Sequence, residues 1–173
     1  MTLIVTPGAT DADSYATLAE ANDYHLSRLH NSEWTAATDV MKEAALLWAT
    51  RTLDANFYWV GVKATDTQSL DWPRSGVVDR NGYSIDSDIV PVEVKNAQSE
   101  LAFLLIKNDR TLSADPDPDG VKELKICSLA LKFESKKMQG ALSASVVALV
   151  QEFGKFIGAG NPAGSGIYFL ERV

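Results

Sequence analysis

The stretch from Gln68 to Pro91, QSLDWPRSGVVDRNGYSIDSDIVP, constrains this chain more than any other. It separates two segments of clear helical periodicity. It is too long for a bare connection in a compact domain unless it packs through its own side chains or serves a function. Asp, Ser, Gly and Asn dominate it, yet Leu70, Trp72, Tyr83 and Ile85 are embedded among them. Pro73 keeps Trp72 out of the helical region, so Leu70 and Trp72 are expected to fold back as an apolar plug over the flanking helices. Asn81-Gly82 marks a turn, since both residue types tolerate positive φ. Arg74 follows the plug and is placed to reach a carboxylate or a neighbouring chain. Leu70, Trp72, Pro73 and Arg74 therefore read as a loop clamp, structural first and a binding element second.

The flanks are helical by pattern. Thr17-Leu18-Ala19-Glu20 has the form of a capping box. It opens a helix to about His30, with Leu18, Ala21, His25 and Leu29 on one stripe and Asn31 as the stop. Thr38-Asp39 opens a second helix to about Ala55. Met41, Ala45, Trp48 and Thr52 share one of its faces, with Ala44 and Leu47 beside them. The aromatic run Asn56 to Val60 closes it, and Phe57 and Trp59 are expected in the core, because large aromatics supply buried area. Pro91 suits the first turn of a third helix, with Val94, Ala97, Leu101, Leu104 and Leu105 inward and an end near Asp109. Ser143 or Ser145 caps a fourth, with Val146, Leu149, Val150, Phe153 and Ile157 on its stripe. Leu3-Ile4-Val5 is a short strand-like start stopped by Pro7-Gly8.

Between the third and fourth helices the period drops to two. Leu124, Ile126, Leu129, Leu131 and Phe133 are apolar, while Lys125, Lys132 and Glu134 fall on the other face. With Cys127-Ser128 at the bend, this predicts a β-hairpin over 121–135 with a basic face. Residues 158–166 are a Gly-rich linker by composition. Ile167-Tyr168-Phe169-Leu170-Glu171-Arg172-Val173 follows, an apolar β-prone end that needs a docking place. Ile167, Tyr168, Phe169, Leu170 and Arg172 are expected to bind a partner by strand addition or groove filling; docking on the Leu3-Ile4-Val5 segment of the same chain is the alternative. The fold class is thus mainly α: a four-helix core with a long central loop, a β-hairpin and an extended C-terminal tail. Residues 1–157 form one helical domain, and 158–173 form the linker and tail.

Charge is placed unevenly. The net is −7 overall, but residues 1–120 hold 9 basic against 19 acidic side chains, whereas 121–137 hold 5 basic (Lys122, Lys125, Lys132, Lys136, Lys137) against 2 acidic. The acidic body argues against a protein coated by nucleic acid, since non-specific affinity comes from Lys and Arg neutralising phosphates. One cysteine excludes a disulfide within the chain and suits a reducing compartment. No apolar stretch is long enough to span a bilayer, and the N-terminus lacks the basic region of a secretory signal.

Catalytic and metal constellations do not emerge. His25 and His30 are five apart, off metal-ligand spacing, and His25 falls on a buried stripe. Gly158-Ala159-Gly160 leads into no helix and makes no phosphate cradle. Asp66, Asp71, Asp79 and Asp86 crowd the central loop without a partner base. Asp115, Asp117, Asp119 and Gly120 mimic the opening of a calcium loop, but the twelfth position is Ile126 rather than a bidentate Glu. The expectation is a non-enzyme with no metal and no cofactor.

The residues Gln68-Ser69-Leu70-Asp71-Trp72-Pro73-Arg74-Ser75-Gly76-Val77-Val78-Asp79, then Gly82 and Val90-Pro91 leading into Val94, Ala97, Glu100 and Leu101, carry a resemblance. So do Ala12-Asp13-Ser14-Tyr15 and Ala45-Leu46-Leu47-Trp48. Over about residues 1–135 the chain resembles a phage and prophage family labelled DnaT-like single-stranded-DNA-binding proteins. In architecture it resembles the small helical head-to-tail adaptor (connector) proteins of tailed phages. The adaptor resemblance implies a structural virion protein of the neck, assembled in the host cytoplasm. It implies a homo-oligomeric ring of 12 copies matching the portal protein, with a tail-completion or tail-terminator protein below and genomic DNA passing without sequence-specific contact. The alternative is a DnaT-like single-stranded-DNA-binding module. Lys125, Lys132, Lys136 and Lys137 read first as a solvated hairpin face, with the channel, the DNA or an acidic neighbour as the alternative they would meet, and in the second reading exposed Trp or Tyr rings stack on bases.

Overall fold

The computed structural model describes residues 2–108 and 142–157, together with the backbone of two strands at 123–126 and 129–132. The order is α1 (Leu18–Leu26), α2 (Ser32–Ala36), α3 (Asp39–Asn56), β1 (Phe57–Trp59), β2 (Val62–Lys63), β3 (Arg74–Ser75), α4 (Val92–Lys107), β4 (Glu123–Ile126), β5 (Leu129–Lys132), α5 (Ala144–Val150) and β6 (Gly154–Phe156). The protein is mainly helical, as its periodicity predicts.

Helix α4 is the element on which the others pack: α1, α2, α3 and α5 all lie against it. Val94, Ala97, Leu101, Ala102 and Phe103 meet Leu46, Ala49 and Leu53 of α3 and Val146 and Val150 of α5 in one apolar cluster. Within it sits a fully buried amide, Gln98. Its Oε1 accepts from the Ala16 backbone N–H at 2.8 Å. Its Nε2 shares its protons among Ser14 Oγ, Leu46 O and Thr50 Oγ1 at 2.7, 3.0 and 2.8 Å. One side chain thus ties the N-terminal segment and α3 to α4.

Helix starts follow their caps. Thr17 and Glu20 form the expected reciprocal box. Thr38 accepts from Met41 N, and Ser143, not Ser145, accepts from Val146 N. The ends differ from expectation. Helix α1 stops at Leu26, not His30, because Asn31 Nδ2 donates to His25 O at 2.8 Å and His30 turns left-handed at φ 57°. Leu29, expected inside, is therefore 81% exposed. A fifth helix, α2, intervenes to bury Trp34, whose Nε1 donates to Asn22 Oδ1.

The face of α3 differs in part. Ala45, Leu47 and Thr52 are buried as expected, and Leu46, Ala49, Thr50 and Leu53 turn inward with them, while Met41 and Trp48 are 52% and 54% exposed. Both stripes are apolar enough to serve. The one chosen carries Thr50 and the Leu46 carbonyl, the acceptors that Gln98 requires once buried.

Helix α5 ends at Val150, and residues expected to continue it form β6 instead. Phe57 pairs with Phe156, Tyr58 with Lys155 and Trp59 with Gly154. A Cβ on Gly154 would meet Tyr58 O at 2.8 Å, so this close pairing needs glycine. Leu3-Ile4-Val5 is not a strand: Ile4 N donates to Asp13 Oδ1 and Ile4 O accepts from Asp13 N. Strands β4 and β5 pair antiparallel with Leu124 opposite Leu131 and Ile126 opposite Leu129, about the expected bend. The tail and its linker, 158–173, lie outside the described residues, as does the Asp115–Gly120 run.

Candidate functional site

The central loop packs against the body through its own side chains. Trp72 is 1% exposed and stands edge-on to Trp59 and Phe153, with centroids at 5.8 and 5.7 Å. Pro73 is buried beside it, and Leu70 is half-buried. Arg74 does not reach a carboxylate. Its Nε donates to Val60 O at 2.8 Å, its Nη2 to Gly61 O at 2.8 Å and its Nη1 to Asp71 O at 3.0 Å. A planar fork with five donors suits several carbonyls held at fixed angles. These bonds tie the loop to the β1–β2 turn, where Gly61 at φ 75° lets Ser75 O approach too closely for any Cβ. The turn at Asn81-Gly82 is present, but only Gly82 takes positive φ; Asn81 N and Tyr83 N donate to Asp79 Oδ1.

One carboxylate has a perturbed environment, and it lies on α3, outside the acidic cluster of the central loop. Asp54 accepts from Tyr15 Oη at 2.5 Å and weakly from Asp71 N at 3.4 Å. Burial, with the nearby Asp71 charge, pushes its carboxyl up to about 6. Asp71 is ion-paired with Lys63 at 3.1 Å. The cluster fastens the N-terminal segment and the loop to α3. His25 is a core histidine: its ring pairs with Ser99 O at 3.1 Å and stacks on Trp34 at 4.1 Å. Desolvation lowers its pKa.

Sorting the cations by partner isolates two. Arg28 pairs with Glu100, Lys42 with Asp39, Lys63 with Asp71, Arg80 with Glu152, Lys95 with Glu20 and Lys107 with Glu33. Arg74 is spent on carbonyls. Among the described residues, that leaves Arg51 and Lys155 as exposed cations without a carboxylate or carbonyl partner. Each stands beside an exposed ring. The Arg51 guanidinium is 5.4 Å from the centroid of Trp48, within cation–π range. Lys155 is the cross-strand partner of Tyr58, itself 71% exposed, so their side chains share a face of the ribbon.

Chain geometry produces both pairs. Met41, Ala44, Trp48, Arg51 and Ala55 follow a 3-4-3-4 spacing along the outer side of α3. In β1 Phe57 and Trp59 are buried and Tyr58 is exposed. The signal was in the sequence as a second apolar stripe, masked because Trp48 was assigned to the core. Of the basic positions first singled out, Lys125 and Lys132 fall in β4 and β5, whose side chains lie outside the description, and Lys136 and Lys137 lie outside it entirely.

A family model described as "Putative DnaT-like ssDNA binding protein" matches residues 1–171. No curated protein and no solved structure matches the chain. The match overturns the head-to-tail adaptor reading. The family that spans the chain is described by single-stranded-DNA binding, and its description names no portal, ring or tail partner.

Proposed function

From the premise that this chain belongs to the DnaT-like ssDNA-binding family, we propose that it binds single-stranded DNA along the outer side of α3 and the β1–β6 ribbon. The observation that carries this reading is the pairing of free cation with exposed ring: Arg51 with Trp48, and Lys155 with Tyr58. Binding of unpaired strands combines aromatic faces, on which bases stack, with cations that follow the phosphates. Arg51 and Trp48 supply one such unit, Lys155 and Tyr58 a second. Stacking tolerates any base, so the proposed binding is sequence-indifferent. With two such cations among the described residues, on a chain of net charge −7, it is also weak.

Tryptophan fluorescence tests the proposal directly. Trp34, Trp59 and Trp72 are buried, and Trp48 is exposed. An oligothymidylate added to the full-length protein is expected to quench the Trp48 component, and Trp48→Ala, read by the anisotropy of a labelled oligothymidylate, to bind about tenfold more weakly. Trp48→Phe, which keeps an aromatic face, should retain most of the affinity. An affinity unchanged in Trp48→Ala sinks the reading. A Trp48 signal that responds to protein concentration alone, and not to oligonucleotide, assigns the stripe to a second copy of the chain instead.

A further inference from the structure

The two ring–cation pairs stand apart along the chain, and their separation sets a requirement on the ligand. From Trp48 to Asn56 the chain climbs α3 at about 1.5 Å per residue, roughly 12 Å in all. Two further residues of extended chain to Tyr58 add at most about 7 Å. Phe57 and Trp59 join the same buried cluster as Leu46, Ala49 and Leu53. The inner sides of α3 and β1 therefore face one core, and their outer sides, with Trp48 and Tyr58, both face away from it.

We infer that the ligand is an unpaired polynucleotide long enough to engage Trp48 and Tyr58 together, with a threshold at about 4–6 nucleotides, at the lower end of the footprints of single-strand-binding domains. The inference rests on the proposed single-strand binding and adds that the site is bipartite. At the duplex rise of 3.4 Å per nucleotide a gap of up to about 19 Å takes about six nucleotides, and a more extended strand takes fewer. A shorter strand meets one ring at a time. A duplex of any length keeps its bases stacked inward and offers neither ring a face. Arg51 and Lys155, at opposite ends of the span, then meet phosphates of the same strand.

The test is a length series on the full-length protein, using oligothymidylates of about 2 to 12 nucleotides to bracket that footprint. Trp48 quenching reports binding. The affinity is expected to step up by about tenfold or more once the threshold is crossed, since a second stacked base is gained there. In Tyr58→Ala the step should vanish, leaving one shallow length dependence. Tyr58 is 71% exposed, so its loss spares the core, and an unchanged circular dichroism spectrum verifies folding. A smooth length dependence in the wild type, or a step that survives in Tyr58→Ala, overturns the bipartite site while leaving single-strand binding intact. No quenching at any length overturns single-strand binding itself, and the bipartite site with it.

Discussion

Gln98 is the residue on which the interior depends most. It is polar at the centre of an apolar helix face, and every hydrogen-bonding atom of its amide is used. Gln98→Leu keeps much of the volume but strands the Ala16 N–H away from water and takes one hydrogen bond each from Leu46 O and the Ser14 and Thr50 hydroxyls, which keep their own bonds to Ala16 O and Leu46 O. A loss of about 2–4 kcal/mol is expected in urea unfolding, from one unmet amide and three further lost hydrogen bonds at about 1 kcal/mol each. Asp54 makes the opposite kind of demand. Its carboxyl holds a proton more tightly folded than unfolded, with a pKa of about 6 against 3.8. The stability it contributes is therefore fully present below pH 3.8 and lost as pH rises through about 6. The size follows from roughly two pKa units at 1.36 kcal/mol each, about 3 kcal/mol at most. Subtracting the stability–pH curve of Asp54→Asn, which has no such proton, from that of the wild type should leave this falling step. His25 works in the other sense: desolvation lowers its pKa, so its contribution is present above pH 6.5 and fades as pH falls. The two groups oppose one another across mildly acid pH.

Elements differ in how plainly the sequence announces them. Caps were legible: Thr17, Thr38 and Ser143 each accept the amide their position requires. The Trp72 plug was legible too, since a tryptophan before proline in a polar loop has few places to go but inward. Burial faces were less so. Helix α3 carries two apolar stripes, and periodicity alone cannot rank them; the choice came from Gln98, some fifty residues away in sequence. Strand β6 was hidden because Val146, Val150 and Phe153 keep helical spacing into a turn, and only the partner strand at Phe57–Trp59 makes Gly154–Phe156 extended. The candidate site inherited both errors, since Trp48 lies on the misassigned stripe and Lys155 on the unforeseen strand. The plug offers a test at this scale. Trp72→Ala removes an indole packed between Trp59 and Phe153, and a loss of about 3–5 kcal/mol is expected, as for other large aromatics deleted from a core. Because Arg74 and the β2–β3 pairing depend on the same loop, amide exchange at Ala64, whose N–H donates to Pro73 O, should accelerate with it. Exchange there at the wild-type rate would mean that the loop holds without its plug.

At the scale of the molecule, the body is acidic, and most cations among the described residues are already paired with neighbouring carboxylates. This makes salt dependence a sharp reading of how DNA is held. For single strands the logarithm of affinity falls against the logarithm of salt with a slope of about −0.7 per phosphate neutralised. Arg51 and Lys155 acting alone give a slope of about −1.4 by that rule. If four of the five lysines of the 121–137 segment joined them, Lys125, Lys132, Lys136 and Lys137 would bring the phosphates engaged to six and the slope to about −4. The shallow slope is the expected one, because the stacking contacts that position the strand lie on α3 and β1. In the double variant Arg51→Gln, Lys155→Gln the slope should fall towards zero while residual stacking on Trp48 still quenches its fluorescence. A steep slope that survives the double variant would move the phosphate track to the hairpin and leave Trp48 and Tyr58 as stacking rings alone.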